Sequence, residues 1–139
     1  MKLTNSNAIA ITNILSGIKL NKIPDKNIKS ILLWNYVALR KIARDANDDT
    51  QEIIKKFQED WRESISPVRT LREENKPVVG FDDYLAAEKD ANEAISAIME
   101  KEIEADIRPV ELEGFIDAID DEDISFEQVA LFKDYGLIK

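Results

Sequence analysis

The chain has 139 residues, 44% of them hydrophobic and 34% charged, with a formal net charge of −9, and this length suits one domain with a buried core. It contains no cysteine and no histidine, which excludes disulfides, thiol catalysis, and the commonest metal ligand and general base near neutral pH. No apolar run approaches the roughly 20 residues that a membrane-spanning helix needs, so we expect no membrane span.

The N-terminal residues predict a first helix over residues 5–20. Asn5 or Ser6 can cap it, because the side-chain oxygens of these residue types accept hydrogen bonds from the free amides of a first turn. Pro24 then ends the helical stretch. This region has no signal-peptide pattern, so we expect no secretion by that route. The apolar residues of one helix face are Ile11, Ile14, Leu15 and Ile18.

A second helix is predicted from Asp25 or Lys26 onward. Asn35 lies in the middle of its apolar stripe, where an unpaired polar group would cost stability. Two interpretations of Asn35 stay open: it fixes the register of packed helices, or it lies in a solvated groove or caps a neighbouring turn. The stripe recurs at helical spacing through Ile28, Ile31, Leu32, Leu39, Ile42 and Ala46.

Leu33 and Val37 lie on the opposite side of this second helix, flanked by Trp34 and Tyr36. Apolar groups on two faces indicate a helix that is covered on both sides. Either the helix is central to the domain, or its second face forms an oligomer contact. We therefore include Leu33 and Val37 among the candidate interaction residues.

The middle of the chain is less sharply patterned. The segment over residues 44–53 predicts a break or a bump in a long helix, with Asp49 and Glu52 as a capping box. Residues 73–80 contain Pro and Gly and predict a loop within one domain. A further helix is predicted from Asp82 to Lys101, with a buried side formed by Phe81, Tyr84, Leu85, Ala91, Ile95 and Ile98.

Residues 102–115, EIEADIRPVELEGF, alternate like a half-buried strand, in contrast to the helical periods elsewhere. The inward positions are Ile103, Ala105 and Ile107, and after a bulge at Pro109 the alternation resumes with Val110 and Leu112. A strand needs a backbone partner. That partner is either residues 1–4 or a strand from another subunit or another protein.

The C-terminal residues carry the clearest helix signals. Ser125 and Gln128 form a capping box, Ile124 and Val129 occupy the positions of a hydrophobic staple, and Gly136 suits the position after the helix end. Together these elements predict a mainly α fold, a helical hairpin or bundle with a minor two-stranded β element and a short strand near the C-terminus. We expect residues 1–139 to form one domain.

The charge is distributed unevenly along the chain. Residues 1–72 contain 13 Lys and Arg against 8 Asp and Glu, a net charge of +5, and residues 73–139 contain 6 against 20, a net charge of −14. Such an uneven charge distribution carries information about which partners the protein binds and how they dock, and not about its fold. Either the basic and acidic halves attract each other within one monomer, or the acidic half faces a basic partner or keeps nucleic acid away.

The acidic run DAIDDEDISFE invites a metal hypothesis, with Asp117, Asp120, Asp121, Glu122 and Asp123 as candidate ligands. An EF-hand loop requires glycine at its sixth position and glutamate at its twelfth, and no register of this run supplies both. We therefore expect a solvated acidic turn, no metal and no cofactor. No phosphate-binding glycine loop, nucleophile elbow or zinc spacing is present, so we expect no catalytic residues and no enzyme.

Three parts of the chain carry a family resemblance: the opening MKLTNSNAIAITNILSGI with KLNKIP, the long helix with Asn35, and the late EIEADIRPVEL followed by ISFEQVALFKDYGLI. This pattern resembles a family of small helical proteins encoded by tailed bacteriophages and prophages. The resemblance implies a phage accessory protein from the structural or assembly part of the genome, located in the virion or in the host cytoplasm. It transfers no catalytic residue.

We thus expect a non-enzymatic accessory or assembly protein whose partners are proteins, either phage structural proteins or further copies of itself. The pI near 4.6 argues against direct nucleic-acid binding. The alternative is a host-directed inhibitor whose acidic half mimics nucleic acid. The candidate interaction surface comprises Ile103, Ile107, Val110, Leu112, Asp117, Asp120, Asp121, Glu122, Asp123, Leu33 and Val37.

Overall fold

The computed structural model describes residues 2–61 and 81–139. The chain forms two compact units, one of Met1–Asp45 with Glu100–Lys139 and the other of Ala46–Met99. These units do not coincide with the basic and acidic halves of the sequence, because the first unit takes residues from both. The predicted loop over residues 73–80 lies outside the described residues.

The described residues are mainly helical with a small antiparallel sheet, as the sequence predicts. None of their helices combines the length and the apolar composition that crossing a membrane would require. The elements in chain order are β1 (Lys2–Thr4), α1 (Asn5–Ser16), a 3-10 turn (Leu20–Lys22), α2 (Lys26–Trp61), α3 (Phe81–Glu100), β2 (Glu102–Glu104), α4 (Leu112–Ala118) and α5 (Phe126–Asp134).

The late strand pairs with the start of the chain. β2 lies antiparallel to β1, with Leu3 opposite Ile103, so the first of the two proposed partners is confirmed. The ladder ends at Glu104, because Glu104 lies opposite Lys2, the first residue of β1, while at the other end Thr4 lies opposite Glu102 and leads into α1. The predicted continuation of the strand to Leu112 was wrong, since Leu112 opens α4.

The first helix is capped one residue earlier than predicted. The Thr4 side chain accepts a hydrogen bond from the backbone N–H of Asn7 at 3.1 Å. Thr4 has the extended backbone angles that an N-cap requires. Thr4 is therefore the N-cap of α1, and neither Asn5 nor Ser6 takes that position. The helix ends at Ser16 rather than at residue 20, although Ile18 beyond it is still buried in the core.

Helix α2 is continuous for 36 residues. Asp25 caps its start, since its Oδ1 accepts hydrogen bonds from the backbone N–H groups of Asn27 and Ile28 at 2.9 and 3.3 Å. The predicted break over residues 44–53 is absent, and Asp49 and Glu52 lie inside the helix instead of capping one. The sequence of α2 contains no Gly or Pro that would interrupt it.

The core of the first unit joins its N-terminal and C-terminal parts. Phe115 of α4 and Phe132 of α5 are both fully buried and meet edge to face, with ring centroids 5.9 Å apart. The chain end is tied in by two backbone bonds, from Val110 N–H to the Leu137 carbonyl at 2.8 Å and from Lys139 N–H to the Val110 carbonyl at 3.0 Å.

The end of α5 follows the predicted pattern. Ser125 and Gln128 form both hydrogen bonds of a capping box. Gly136 has a φ of 78°, a left-handed conformation that side chains with a Cβ rarely adopt, and it turns the chain back toward the core.

The second unit contains an aromatic cluster between α2 and α3. The ring of Tyr84 lies 5.7 Å from that of Phe57 and 5.5 Å from that of Trp61, centroid to centroid. Tyr84 is buried as the helical pattern predicts, whereas Leu85 is exposed. These contacts give the described part of the second unit an apolar centre.

Asn35 on α2 is completely buried and bonds to a segment far away in sequence. Its Nδ2 donates to the carbonyl of Arg108 and its Oδ1 accepts from the N–H of Arg108, both at 2.8 Å. Nearby, the Trp34 indole N–H donates to the Asp106 carbonyl at 3.2 Å. Asn35 therefore acts as a substitute strand partner for an irregular segment, and neither interpretation from the sequence described this role.

Replacing Asn35 with leucine is expected to destabilise the protein by about 2–4 kcal/mol, because it leaves the N–H and C=O of Arg108 without partners. We would measure urea unfolding by Trp34 fluorescence in a Trp61→Phe background. Asn47→Leu, at an exposed position of the same helix, is the control and should change stability by less than about 0.5 kcal/mol. Equal effects of the two substitutions would contradict the role of Asn35.

Candidate interaction surface

A groove with apolar walls lies between α4 and α5 and has a volume of about 460 Å³. Phe115 forms part of its lining on the core side, while Ile116 is 53% exposed. The predicted staple residues Ile124 and Val129 both line this groove. We call this surface, with Ile116, Ile119, Asp121, Ile124, Phe126 and Val129 as its main lining residues, the C-terminal groove.

Phe126 is the most exposed large apolar side chain at the groove, at 96%. It is the first residue of α5, directly after the cap residue Ser125. At about 100° per residue it projects some 120° away from Phe132, the buried residue of the same helix. Leaving a phenylalanine in water forgoes about 1.5–3 kcal/mol of burial, and exposed apolar patches of this kind mark interaction sites.

Acidic residues are concentrated in the segment that forms the C-terminal groove, and one of them, Asp121, lines it. Residues 116–129 include six acids and no Lys or Arg. Four of the acids are exposed and two are half-buried. The groove thus combines a mainly apolar lining with a dense acidic segment, whose six acids we call the acidic rim. The six acids are Asp117, Asp120, Asp121, Glu122, Asp123 and Glu127.

Asp120 organises the turn between α4 and α5. Its Oδ1 accepts a hydrogen bond from the Glu122 N–H at 3.1 Å, and its backbone carbonyl accepts one from the Asp123 N–H at 2.9 Å. Its Oδ2 lies 3.5 Å from the Lys22 ammonium. The Glu122 amide, and then Lys22, lower the pKa of the Asp120 carboxyl below its usual value. Across the described ranges, no group of three or more acids is placed to hold a metal ion.

The predicted strand residues of the interaction surface face inward. Val110 is buried, and Ile103, Ile107 and Leu112 are partly buried against the core of the first unit. Their side chains contribute to packing within the chain. The acidic residues of the predicted surface, by contrast, all lie on or next to the connection between α4 and α5.

Leu33 and Val37 form a second exposed apolar surface, on α2. They are 45% and 58% exposed, and together with Ser30, Trp34 and Ala38 they line a shallow depression. The guanidinium carbon of Arg108 lies 3.7 Å from the centre of the Trp34 ring, which holds the indole at the edge of this surface. The sequence left two interpretations of this face of α2: it is covered within the domain, or it forms an oligomer contact. Within residues 2–61 and 81–139, coverage of Leu33 and Val37 by the same chain is not observed.

The sequence pattern did not predict the apolar part of the C-terminal groove. Helix α4 was overlooked because the alternation of residues 102–112 favoured a continuing strand. The spacing of Leu112, Phe115 and Ile119 is a helical signal that would have revealed it. Phe126 gave no comparable signal, because a residue next to a helix cap can face either core or solvent.

The chain matches no protein-family model, no curated protein and no solved structure. The resemblance to phage proteins therefore stays a prediction.

The Asp120 carboxyl is expected to titrate below an ordinary aspartate in carboxyl-detected NMR. It should remain below that value in Lys22→Ala, because the Glu122 amide is the largest cause of the shift. Since its folded pKa is lowered, this carboxylate stabilises the fold above the unfolded pKa, and the contribution is lost as pH falls through the folded pKa. An ordinary pKa in the unaltered protein would contradict this description of the turn.

Proposed function

We propose that the protein is a non-enzymatic interaction protein that binds another protein through the C-terminal groove. The observation that carries this proposal is Phe126, almost completely exposed at a groove whose lining is mainly apolar. A partner that covers Phe126 and Ile116 would recover the burial energy that the free protein forgoes. Central aromatic anchors of this type commonly dominate the affinity of protein interfaces.

The acidic rim restricts the chemistry of the partner. An apolar side chain of the partner would enter the groove, and Lys or Arg beside it would face Asp117, Asp121 and Glu122. Such charge complementarity raises the association rate and excludes acidic competitors. The partner surface is therefore expected to be apolar at its centre and basic at its edges.

We place this activity in a tailed-phage context, as an accessory or assembly factor of the particle. The support is the sequence pattern alone, from the opening KLTN to the late strand and the C-terminal helix. An assembly role requires protein contacts and no chemistry, which agrees with the absence of histidine, cysteine and catalytic motifs from the sequence.

A host-directed inhibitor is the second candidate, and the six acids of residues 116–129, a stretch that contains no Lys or Arg, favour it. An inhibitor that mimics nucleic acid would depend on charge, so its affinity would fall steeply between low and moderate salt. Binding centred on Phe126 would depend much less on salt. The salt dependence of the affinity therefore separates the two candidates.

Photo-crosslinking tests the proposed binding surface. Benzoylphenylalanine at position 126 should crosslink a protein in cells that produce the phage, because Phe126 lies at the centre of the proposed contact. The same group at the exposed Ser96 of α3 is the control and should not capture that protein. Mass spectrometry then identifies the crosslinked chain.

With the identified protein purified, Phe126→Ser should weaken binding about 10- to 100-fold, as expected from losing about 1.5–3 kcal/mol of aromatic burial. Identical crosslinks at positions 126 and 96, or unchanged affinity of Phe126→Ser, would contradict the proposed binding surface.

A further inference from the structure

We propose that a second copy of this chain binds in the C-terminal groove through the exposed face of α2. This inference rests on the proposed function, because it takes the groove as the binding surface. It names the partner as the same protein and gives the contact a direction, from the α2 face of one copy to the groove of the next.

The exposed face of α2 has the shape of a helix-in-groove ligand. Ser30, Leu33 and Val37 follow one another at spacings of three and four residues, so they project to one side. At about 100° per residue, this side lies opposite Ile28 and Asn35. Leu33 and Val37 are the exposed apolar centre of the face.

Basic residues flank this apolar centre on the same side of the helix. Lys26 lies one turn before Ser30, and Arg40, Lys41 and Arg44 follow Val37. All four are exposed, and none forms an ion pair within residues 2–61 and 81–139. Lys22, in the preceding 3-10 turn, is the basic residue that Asp120 engages.

The α2 face and the C-terminal groove are complementary in both polarity and charge. The face is apolar at its centre and basic at its ends, and the groove is apolar in its lining and acidic at its rim. The α2 face thus has the apolar centre and the basic edges that we expect of the partner surface. Charge complementarity of this kind favours the matched pair over other arrangements.

The two surfaces of one chain cannot meet each other. The opposite face of α2 packs against α4, where a Cβ on Gly114 would lie only 3.3 Å from Ile28 Cδ1. The exposed face of α2 therefore points away from α4, so it can contact the C-terminal groove only of another copy. Pairing of like surfaces is disfavoured, because it would place Arg and Lys against Arg and Lys, or acids against acids.

A contact between two different surfaces of identical chains is heterologous. Each copy offers one α2 face and one groove, so association continues until a ring closes or a filament forms. A symmetric dimer would instead bury the same surface on both chains.

Complementary variants test this directional contact. The face variant Leu33→Glu/Val37→Glu keeps an intact groove, and the groove variant Ile116→Ser/Phe126→Ser keeps an intact face. All four positions are exposed, so both variants should retain the helical circular dichroism of the unaltered protein. We would measure the mass by light scattering after size exclusion, at protein concentrations up to about 500 μM. This range detects association even where the dissociation constant is weaker than micromolar.

We expect the unaltered protein to exceed the monomer mass increasingly with concentration. Each variant alone should be a monomer, and an equimolar mixture of the two should form a dimer that weakens only modestly as salt is raised, because Phe126 and Ile116 supply the apolar centre of the contact. The control Gln51→Glu/Gln58→Glu adds the same charge at exposed positions of α2 and should associate like the unaltered protein.

A monomeric unaltered protein at the highest concentration would overturn the inference, as would a mixture of variants that stays monomeric. A single variant that still dimerises would also overturn it, because it would reveal a symmetric contact. If association fails but the crosslinker at position 126 captures a different protein, the inference is wrong and the proposed function stands. If neither association nor a crosslink specific to position 126 is observed, both are wrong.

Discussion

The two hydrogen bonds between Asn35 and the backbone of Arg108 are the constraint on which the C-terminal part of the first unit depends. The β1–β2 ladder ends at Glu104, and Val110 bonds to the backbone of Leu137 and Lys139. Between Glu104 and Val110, the Asn35 amide supplies one donor and one acceptor, as a neighbouring strand would. Leaving both Arg108 groups unpaired would cost about 1–3 kcal/mol each, so the chain is fixed against α2 at this point.

The position of the C-terminal groove follows from this attachment. With Arg108 held on α2, Val110 reaches the backbone of Leu137 and Lys139, and Phe115 and Phe132 enter the core together. Once those two rings are buried, helix periodicity leaves Ile116 and Phe126 facing outward. The exposed groove residues are thus a consequence of how α4 and α5 are anchored, and the acids between the two helices supply its charge.

Local signals predicted the elements whose partners lie close in sequence. The Ser125–Gln128 capping box and the turn at Gly136 were correct, because each depends on only a few neighbouring residues. The partner of Asn35 lies 73 residues away, so periodicity revealed a polar residue in an apolar stripe but could not identify what it binds. Helix α4 was missed because strand alternation ran into its first residue. The charge asymmetry was visible in the sequence. The structure pairs Lys22 with Asp120 and leaves Lys26, Arg40, Lys41 and Arg44 of α2 exposed, which no count of charges could reveal.

Amide hydrogen exchange at Arg108, followed residue by residue by NMR, tests the central role of Asn35 most directly. The Arg108 N–H lies outside any regular ladder, and its acceptor is a buried side chain. The account predicts that this amide exchanges as slowly as the Val110 amide, which bonds to the Leu137 carbonyl. Exchange of Arg108 at the rate of an unprotected loop amide would mean that Asn35 does not hold this segment, and the explanation of the groove would fail with it.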